Sequence, residues 1–300
     1  MKKVYFIYNP HAGKGLIGSK LNEIIQILAE KDNALTVVPT IGYLDAMERV
    51  SKLSEDYDLV VCSGGDGTLD EVVTGMMHHL PENRMPIGYI PAGTTNDFAR
   101  SLEIPRNMPE AARAVMNGEE FACDIGSFNG DYFVYIAAFG IFTDVSYTTK
   151  QEVKNVLGHM AYVLEGMKRL YNLKSYKMKV RADEMEFEGD FLFGMITNSK
   201  SVAGFKGLVG NSVVFNDGVF EMTFIKKPKN PLEIQEILAA LLKEEIDERY
   251  MYSFRSKRVE IECDEMVPWT LDGEFGGEHQ QVIIENNCKA VSILVKKEHS

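Results

Sequence analysis

Glycine-rich clusters follow three of the strand-like runs that precede residue 120, and this arrangement constrains the fold more than any other feature. The buried-strand patterns VYFIY, LTVVPT, DLVVCSG and IGYIPAG alternate with patterns of helical period, which is typical of parallel βαβ units. We therefore expect an α/β fold built on a doubly wound sheet. Ligands of such sheets bind outside the carboxyl ends of the strands, where these glycines fall.

The second part of the chain has a different pattern, which begins at about Cys123. Runs such as YFVYIAAFG, GVFEMTFIKK, RVEIECD and AVSILVKK predict a mostly antiparallel β-sandwich. Helical patterns interrupt these runs near residues 151–172 and 231–246. We expect an α/β domain over residues 1–123 and a β-sandwich domain over 124–300, whose last strand can pack back on the first domain.

Composition excludes several classes of protein. The formal net charge of −12 is unsuited to a general nucleic-acid binder, because a polyanion meets no net basic field. The four cysteines form no CxxC pair and are expected to be buried in a reduced, cytosolic protein. The longest apolar run, residues 132–142, is shorter than the roughly 20 residues of a membrane-spanning helix. The chain is therefore expected to be soluble or at most peripheral to a membrane.

The first glycine cluster spells GxGxxG with Gly13, Gly15 and Gly18, directly after a strand-like run. A dinucleotide site also needs an acidic residue at the tip of the second strand, and Thr40 stands there instead. The order of Gly18, Ser19 and Lys20 likewise differs from that of a P-loop. This cluster indicates only a close approach of the backbone to a ligand, for which phosphate is one candidate.

The second cluster, VVCSGGDGTLDEVV, is more informative. Gly64, Gly65 and Gly67 follow a buried strand and open a helix at about Thr68, so backbone N–H groups and the positive helix end would favour phosphate. Asp66 would repel a phosphate unless a cation intervenes, which points to a Mg²⁺-bound nucleotide. The alternative is a tight turn in which Asp66 caps the helix.

A further polar cluster follows the fourth strand and consists of Gly93, Thr94, Thr95, Asn96 and Asp97. These residues would meet a phosphate or a metal-bound water, or they would merely cap the next helix.

The stretch PWTLDGEFGGEH places two carboxylates, Asp272 and Glu274, on either side of Gly273. They are either solvated turn residues or a carboxylate base for phosphoryl transfer to a hydroxyl.

NPHAG, SGGDGTLDEVV, IPAGTTNDFARSL and LDGE occur in this order along the chain. Together they resemble the diacylglycerol kinase catalytic superfamily, above all the soluble bacterial diacylglycerol kinases and related lipid kinases. The resemblance covers essentially the whole chain and implies an ATP-binding α/β domain and a β-sandwich that accepts the lipid. With the polar loop after the fourth strand, the candidate ATP contacts are Asn9, Pro10, His11, Ala12, Gly13, Thr40, Gly64, Gly65, Asp66, Gly67, Thr68, Leu69, Asp70, Glu71, Thr94, Asn96 and Asp97.

The resemblance also implies catalytic and metal-binding residues. Glu274 matches the general base, Asp272 is near enough to share or contest that role, and Asp66 would organise Mg²⁺ and its water. A structural Mg²⁺ site would use the carboxylate of Asp217 and the backbone carbonyls of Val214 and Val219. The chain departs from the family pattern at Asp70, where asparagine is usual, and at His11, where a small hydroxyl residue is usual.

These motifs predict an ATP- and Mg²⁺-dependent lipid kinase that converts diacylglycerol to phosphatidic acid. The alternatives are a kinase of another lipid (phosphatidylglycerol, a sphingoid base or a prenol), an NAD kinase, and a non-catalytic nucleotide sensor. The expected location is the cytoplasm, at the inner face of the membrane. Eight basic residues between 150 and 181 would dock to anionic lipid or form a solvated helix face, and an edge strand of the β domain would allow a homodimer.

Overall fold

The computed structural model describes residues 1–140, 174–183, 185–198, 214–243 and 245–297. By its internal contacts the chain divides into two compact units. Unit 1 contains residues 1–125 together with the C-terminal segment from residue 288, and unit 2 contains residues 126–287. The structure is thus of the mixed α/β class, with a parallel sheet in unit 1 and antiparallel strands in unit 2.

Unit 1 alternates strands and helices in the order that the sequence patterns predict. Its elements are β1 (Lys3–Tyr8), α1 (Ile17–Leu28), β2 (Ala34–Pro39), α2 (Asp45–Ser51), β3 (Leu59–Gly64), α3 (Asp66–Met77), β4 (Ile87–Pro91), α4 (Asp97–Ser101) and α5 (Met108–Asn117). The parallel sheet runs β4-β3-β1-β2, and the end of a long strand, β13 (Glu274–Val295), adds to β4 through Ile293 and Leu294. Every residue of β3 and β4 is buried, as expected for central strands of a parallel sheet.

Unit 2 is mostly antiparallel β-structure. Its strands are β5 (Glu119–Phe128, begun in unit 1), β6 (Asp131–Phe133), β7 (Ile136–Gly140), β8 (Tyr176–Ala182), β9 (Met185–Thr197), β10 (Phe220–Lys226), β11 (Met251–Ser256), β12 (Arg258–Leu271) and the first part of β13. The helix predicted near residues 231–246 is α6 (Pro231–Lys243). The other predicted helix, at 151–172, lies outside the described residues.

Long strands enclose the core of unit 2. One half of β9 pairs with β8 and the other with β7, and β12 pairs with the same two strands in the same way. The space between them is filled by a cluster rich in aromatic side chains, including Phe139, Phe224 and the fully buried Trp269. A second apolar cluster joins β7, β9 and β10 to α6 through side chains such as Met195 and Ile237.

The expectation that all four cysteines are buried is wrong for one of them. Cys62, Cys123 and Cys263 are buried, whereas Cys288 is exposed. Cys288 stands beside Lys289, whose φ of 52° interrupts the regular alternation of β13. A pattern of alternating polarity read from the sequence does not register such an interruption.

Candidate functional site

Three loops of unit 1 meet at the carboxyl ends of β1, β3 and β4. A Cβ added to Gly13 would lie 2.4 Å from the carbonyl oxygen of Ala92, and φ at Gly13 is +59°, so this position requires glycine on two counts. A Cβ added to Gly93 would lie 2.6 Å from the Cα of Gly65. The backbones of the three predicted loops are therefore in direct contact.

Backbone hydrogen bonds hold this contact in place. The amide of Asn9 donates to the carbonyl oxygen of Ser63 at 2.8 Å, and the amide of Ala92 donates to that of Gly64 at 2.8 Å. Beneath the loops the hydroxyl of the fully buried Tyr89 donates to the same Gly64 oxygen at 3.2 Å. The loops are thus fixed by the sheet below them, which leaves other backbone groups of the glycine-rich turn available to a ligand.

The helix end beside these loops favours an anion. Helix α3 begins at Asp66, directly after Gly65, so the N–H groups of Gly65, Asp66 and Gly67 have no acceptor in a preceding turn, whereas the amide of Thr68 donates to the carbonyl oxygen of Gly65 at 3.1 Å. The side-chain amide of Asn9 lies 3.4 Å from the hydroxyl of Thr68, which joins the first loop to this turn. Free N–H groups and the positive end of the helix dipole together form an environment suited to phosphate.

Two carboxylates lie next to the helix end. The carboxylate of Asp66 does not cap its own helix; it accepts hydrogen bonds from the amides of Asp97 at 3.2 Å and Phe98 at 3.4 Å, at the start of α4. Burial raises the pKa of Asp66, and the nearby charge of Asp97 raises it further. Burial also raises the pKa of Asp97, against the opposing effect of Arg100. Such mutually repelling, partly buried carboxylates are stabilised by a shared cation.

The other predicted ATP contacts are distributed around these loops. Thr40 is buried at the end of β2, where its amide donates to the carbonyl oxygen of Tyr8 at 2.8 Å. His11 is exposed in the first loop. The side chain of Leu69 is buried in the core, so only its backbone is available to a nucleotide. Pro10, Ala12, Gly67, Asp70 and Thr94 lie in or beside the same loops.

The carboxylate of Glu71 already has a structural role. It accepts hydrogen bonds from the amides of Leu44 at 3.0 Å and Ala46 at 3.1 Å, at the N-terminus of α2. The backbone of Leu44 is left-handed, with φ of +63°, so this bend depends on the anchorage. Glu71 therefore connects the helix of the glycine-rich turn to the loop that follows Thr40.

The two carboxylates of the LDGE turn have different environments. Asp272 and Gly273 both have positive φ, as the central residues of a type I′ hairpin turn do. The buried carboxylate of Asp272 accepts three backbone hydrogen bonds, from Val134 at 2.5 Å, Tyr135 at 2.9 Å and Ile136 at 2.9 Å. Glu274, in contrast, is exposed at the first position of β13.

Asp217 is paired with a cation of the protein itself. The guanidinium of Arg255 contacts Asp217 and lies 3.2 Å from Glu221. A Mg²⁺ ion at Asp217 would have to displace Arg255. Val214, Asp217 and Val219 as metal ligands stay a prediction. Among the described residues, no three His, Cys, Asp or Glu side chains are grouped to hold a metal ion.

Sequence reasoning missed the residues that support the site from below. In the sequence, Tyr89 cannot be distinguished from the other residues of a buried strand. The segment Val134–Ile136, whose backbone amides hold Asp272, contains no motif. Nothing in the local sequence signals either role, because both depend on contacts between segments that are distant in the chain.

The chain is similar in sequence to proteins of one known family. The profile of the family described as diacylglycerol kinase catalytic domain matches residues 3–128, which include the three loops. A diacylglycerol kinase of Bacillus subtilis (strain 168) is 35% identical over 279 residues, covering 92% of this chain and 91% of that protein. A diacylglycerol kinase of Staphylococcus carnosus is 34% identical over 279 residues, covering 92% and 90%.

A solved structure extends the similarity to the fold. A crystal structure of a candidate diacylglycerol kinase from Bacillus anthracis has a TM-score of 0.84 and 26% identity, covering 98% of this chain and 95% of that one. The chain belongs to the diacylglycerol kinase family, and it is an enzyme of the diacylglycerol kinase type.

Proposed function

We propose that this member of the diacylglycerol kinase family is an ATP-dependent lipid kinase, which transfers the γ-phosphate of ATP to the free hydroxyl of diacylglycerol and forms phosphatidic acid. The observation that carries the proposal is the contact of the three glycine-containing loops at the N-terminus of α3, beside Asp66 and Asp97. A triphosphate needs converging N–H donors, and its metal needs carboxylates.

The loops of unit 1 would bind the donor nucleotide. Backbone N–H groups of the turn from Gly65 to Gly67 would hold the phosphates, because no side chain stands in their way at the glycines. The first loop, around His11 and Gly13, would cover the nucleotide from the side of β1. Thr40, at the end of the neighbouring strand β2, would contact the nucleoside part.

We infer that Mg²⁺ is held by the carboxylates of Asp66 and Asp97. Asp97 also lies 3.4 Å from Arg100, but a carboxylate has enough lone pairs to accept from both cations. In nucleotide-dependent enzymes this ion is usually held by one or two carboxylates, with phosphate oxygens and water completing the octahedron. Burial raises the pKa of both groups, and the charge of Asp97 raises that of Asp66 further; a divalent cation would stabilise the charged form of each carboxylate. When bound, the ion would neutralise charge that develops on the transferred phosphoryl group.

Glu274 is the better candidate for the general base. Its carboxylate is exposed and accessible to an acceptor hydroxyl, whereas both oxygens of Asp272 accept backbone hydrogen bonds. We infer that Glu274 accepts the proton of the lipid hydroxyl during in-line transfer. Asp272 then holds the turn.

The membrane contact of this kinase is less well supported by the basic residues than the sequence suggests. Each described member of the set is paired: Lys174 with Glu265 at 3.5 Å, Lys177 with Glu188 at 3.4 Å, Lys179 with Glu186 at 2.5 Å, and Arg181 with Glu262 at 2.8 Å. The other members, Lys150, Lys154, Lys168 and Arg169, lie outside the described residues. No helix within the described ranges has the length and apolar character needed to span a membrane.

The experiment is transfer of labelled phosphate from ATP to lipids in mixed micelles with Mg²⁺. The panel contains diacylglycerol, phosphatidylglycerol, a sphingoid base and a prenol, and a parallel reaction contains NAD. Label in phosphatidic acid supports the proposal, label in another lipid changes only the acceptor, and label in NADP contradicts it. Asp66→Asn and Glu274→Gln should each lower kcat by a factor of about 10² or more. Absence of turnover in the wild type would favour a nucleotide sensor.

A further inference from the structure

A β-bulge follows Glu274 in β13. Pro268 pairs with Glu278 and Thr270 pairs with Phe275, so one residue of β12, Trp269, faces the two residues Gly276 and Gly277 of β13. Side chains alternate between the two faces of a sheet along a strand. One extra residue therefore turns the side chains that precede it to the opposite face. The bulge therefore decides the direction of the Glu274 side chain relative to the rest of β13.

His279 closes this bulge with a side-chain hydrogen bond. Its Nε2 lies 2.9 Å from the carbonyl oxygen of Gly276. A Cβ on Gly277 would lie 2.7 Å from the same Nε2, and φ at Gly277 is +90°. Gly277 thus permits both the conformation of the bulge and the approach of the imidazole ring.

The other ring nitrogen of His279 is also engaged. Nδ1 lies 3.2 Å from the side-chain nitrogen of Asn129, which also donates to the carbonyl oxygen of Gln281 at 2.8 Å. The amide of Ile283 donates to Oδ1 of Asn129 at 2.8 Å, and this bond identifies which end of the Asn129 amide carries the nitrogen. His279 therefore donates through Nε2 and accepts through Nδ1.

The ring is fixed against the core of unit 2 as well. The rings of His279 and Phe128 meet edge to face, with centroids 5.2 Å apart, and Phe128 lies 5.1 Å from Trp269. Trp269 is the fully buried residue that faces the bulge. A continuous set of contacts thus joins the core to the backbone at Gly276, two residues after Glu274.

We propose that His279 is a positioning residue for Glu274: by closing the Gly276–Gly277 bulge, it fixes the direction of the Glu274 carboxylate. The inference rests on the proposed function, in which Glu274 is the base. His279 lies outside the LDGE motif, at the end of the stretch PWTLDGEFGGEH, and in this role it acts through the backbone at Gly276.

The test uses His279→Ala and His279→Gln in the full-length protein. Glutamine can donate to the Gly276 oxygen and accept from Asn129, so it preserves both bonds, whereas alanine preserves neither. The matched control is His79→Ala, since His79 also bonds a backbone carbonyl through Nε2, that of Val50 at 2.7 Å, in unit 1. Two readouts are needed: kcat and KM for ATP, and hydrogen exchange of the amides from residue 275 to 278.

In His279→Ala we expect kcat to fall by a factor of about 10 to 100, because a base displaced by about 1 Å loses that much rate. KM for ATP should stay within about a factor of two, and amide exchange at 275–278 should rise by about 10-fold or more. His279→Gln should recover most of both effects, and His79→Ala should show neither.

Wild-type kcat in His279→Ala would overturn the proposal. The proposal would also be overturned if kcat falls in His279→Ala, His279→Gln does not recover it, and the melting temperature falls as well. Unchanged exchange at 275–278 in His279→Ala would refute closure of the bulge, whether or not the protein transfers phosphate. Failure of the proposed function has a different signature: Glu274→Gln would retain full kcat while the exchange results still support the closed bulge.

Discussion

Replacement of Asp272 by asparagine tests whether this carboxylate of the LDGE turn is structural or acts in the proposed transfer. Oδ1 accepts from the amides of Tyr135 and Ile136, and Oδ2 accepts from the amide of Val134. In Asp272→Asn the oxygen can keep the first two bonds, but an NH₂ group then faces the amide of Val134. One buried donor loses its acceptor.

The magnitude follows from these bonds. A buried, unsatisfied N–H costs about 1–3 kcal/mol, and the two bonds that remain lose the charge of their acceptor, at roughly 0.5–1 kcal/mol each. We expect Asp272→Asn to lower the free energy of unfolding by about 3 kcal/mol. In a protein of this size, such a loss lowers the melting temperature by roughly 6–12 °C.

The assay is urea unfolding followed by circular dichroism, with kcat measured on the same preparations at a temperature where each variant is folded. Two controls accompany it. Glu274→Gln should lower kcat by a factor of about 10² or more while its unfolding free energy stays within about 0.5 kcal/mol of the wild type, since the residue is exposed. Glu278→Gln, an exposed carboxylate of the same strand, should change neither quantity.

One result would refute the reasoning. If Asp272→Asn unfolds within about 1 kcal/mol of the wild type but loses transfer as fully as Glu274→Gln does, Asp272 acts in catalysis and not in holding the turn. A large loss of stability with kcat retained in the folded fraction confirms the structural role.

Three further outcomes are expected. Gly93→Ala should raise KM for ATP by about 10-fold or more, because its Cβ would lie 2.6 Å from the Cα of Gly65. The control Gly18→Ala should leave KM unchanged, because a Cβ added to Gly18 meets no atom within 4 Å. Glu71→Ala should lower the unfolding free energy by about 1–2 kcal/mol in urea titrations, because α2 loses its cap, and Glu48→Ala on the exposed face of α2 should be neutral. In titration with a thiol reagent, Cys288 should react at once and the buried Cys62, Cys123 and Cys263 only after unfolding, since burial raises the pKa of each of these three thiols and blocks access.

The elements of unit 1 were predictable because each has a local pattern. The continuous apolar run DLVVCSG becomes β3, and the glycines that follow it mark the start of α3. The turn at Asp272 and Gly273 was predictable for a similar reason, since a two-residue turn with positive φ selects this dipeptide. Burial was less predictable: the exposure of Cys288 follows from a local irregularity at Lys289 that no alternation pattern contains.

The chain alone determined the mixed α/β class, the three loops of the candidate site and the kinase family, because these depend on short motifs and on periodicities of two and 3.6 residues. Only the tertiary structure decided which of the carboxylates accept backbone hydrogen bonds. Asp272 and Glu274 look equivalent in LDGE, and Glu71 looks like one more residue of the phosphate loop. Their environments differ because amides distant in the chain, at Val134 to Ile136 and at Leu44 and Ala46, donate hydrogen bonds to two of these carboxylates. Such contacts between remote segments exist only once the chain is folded.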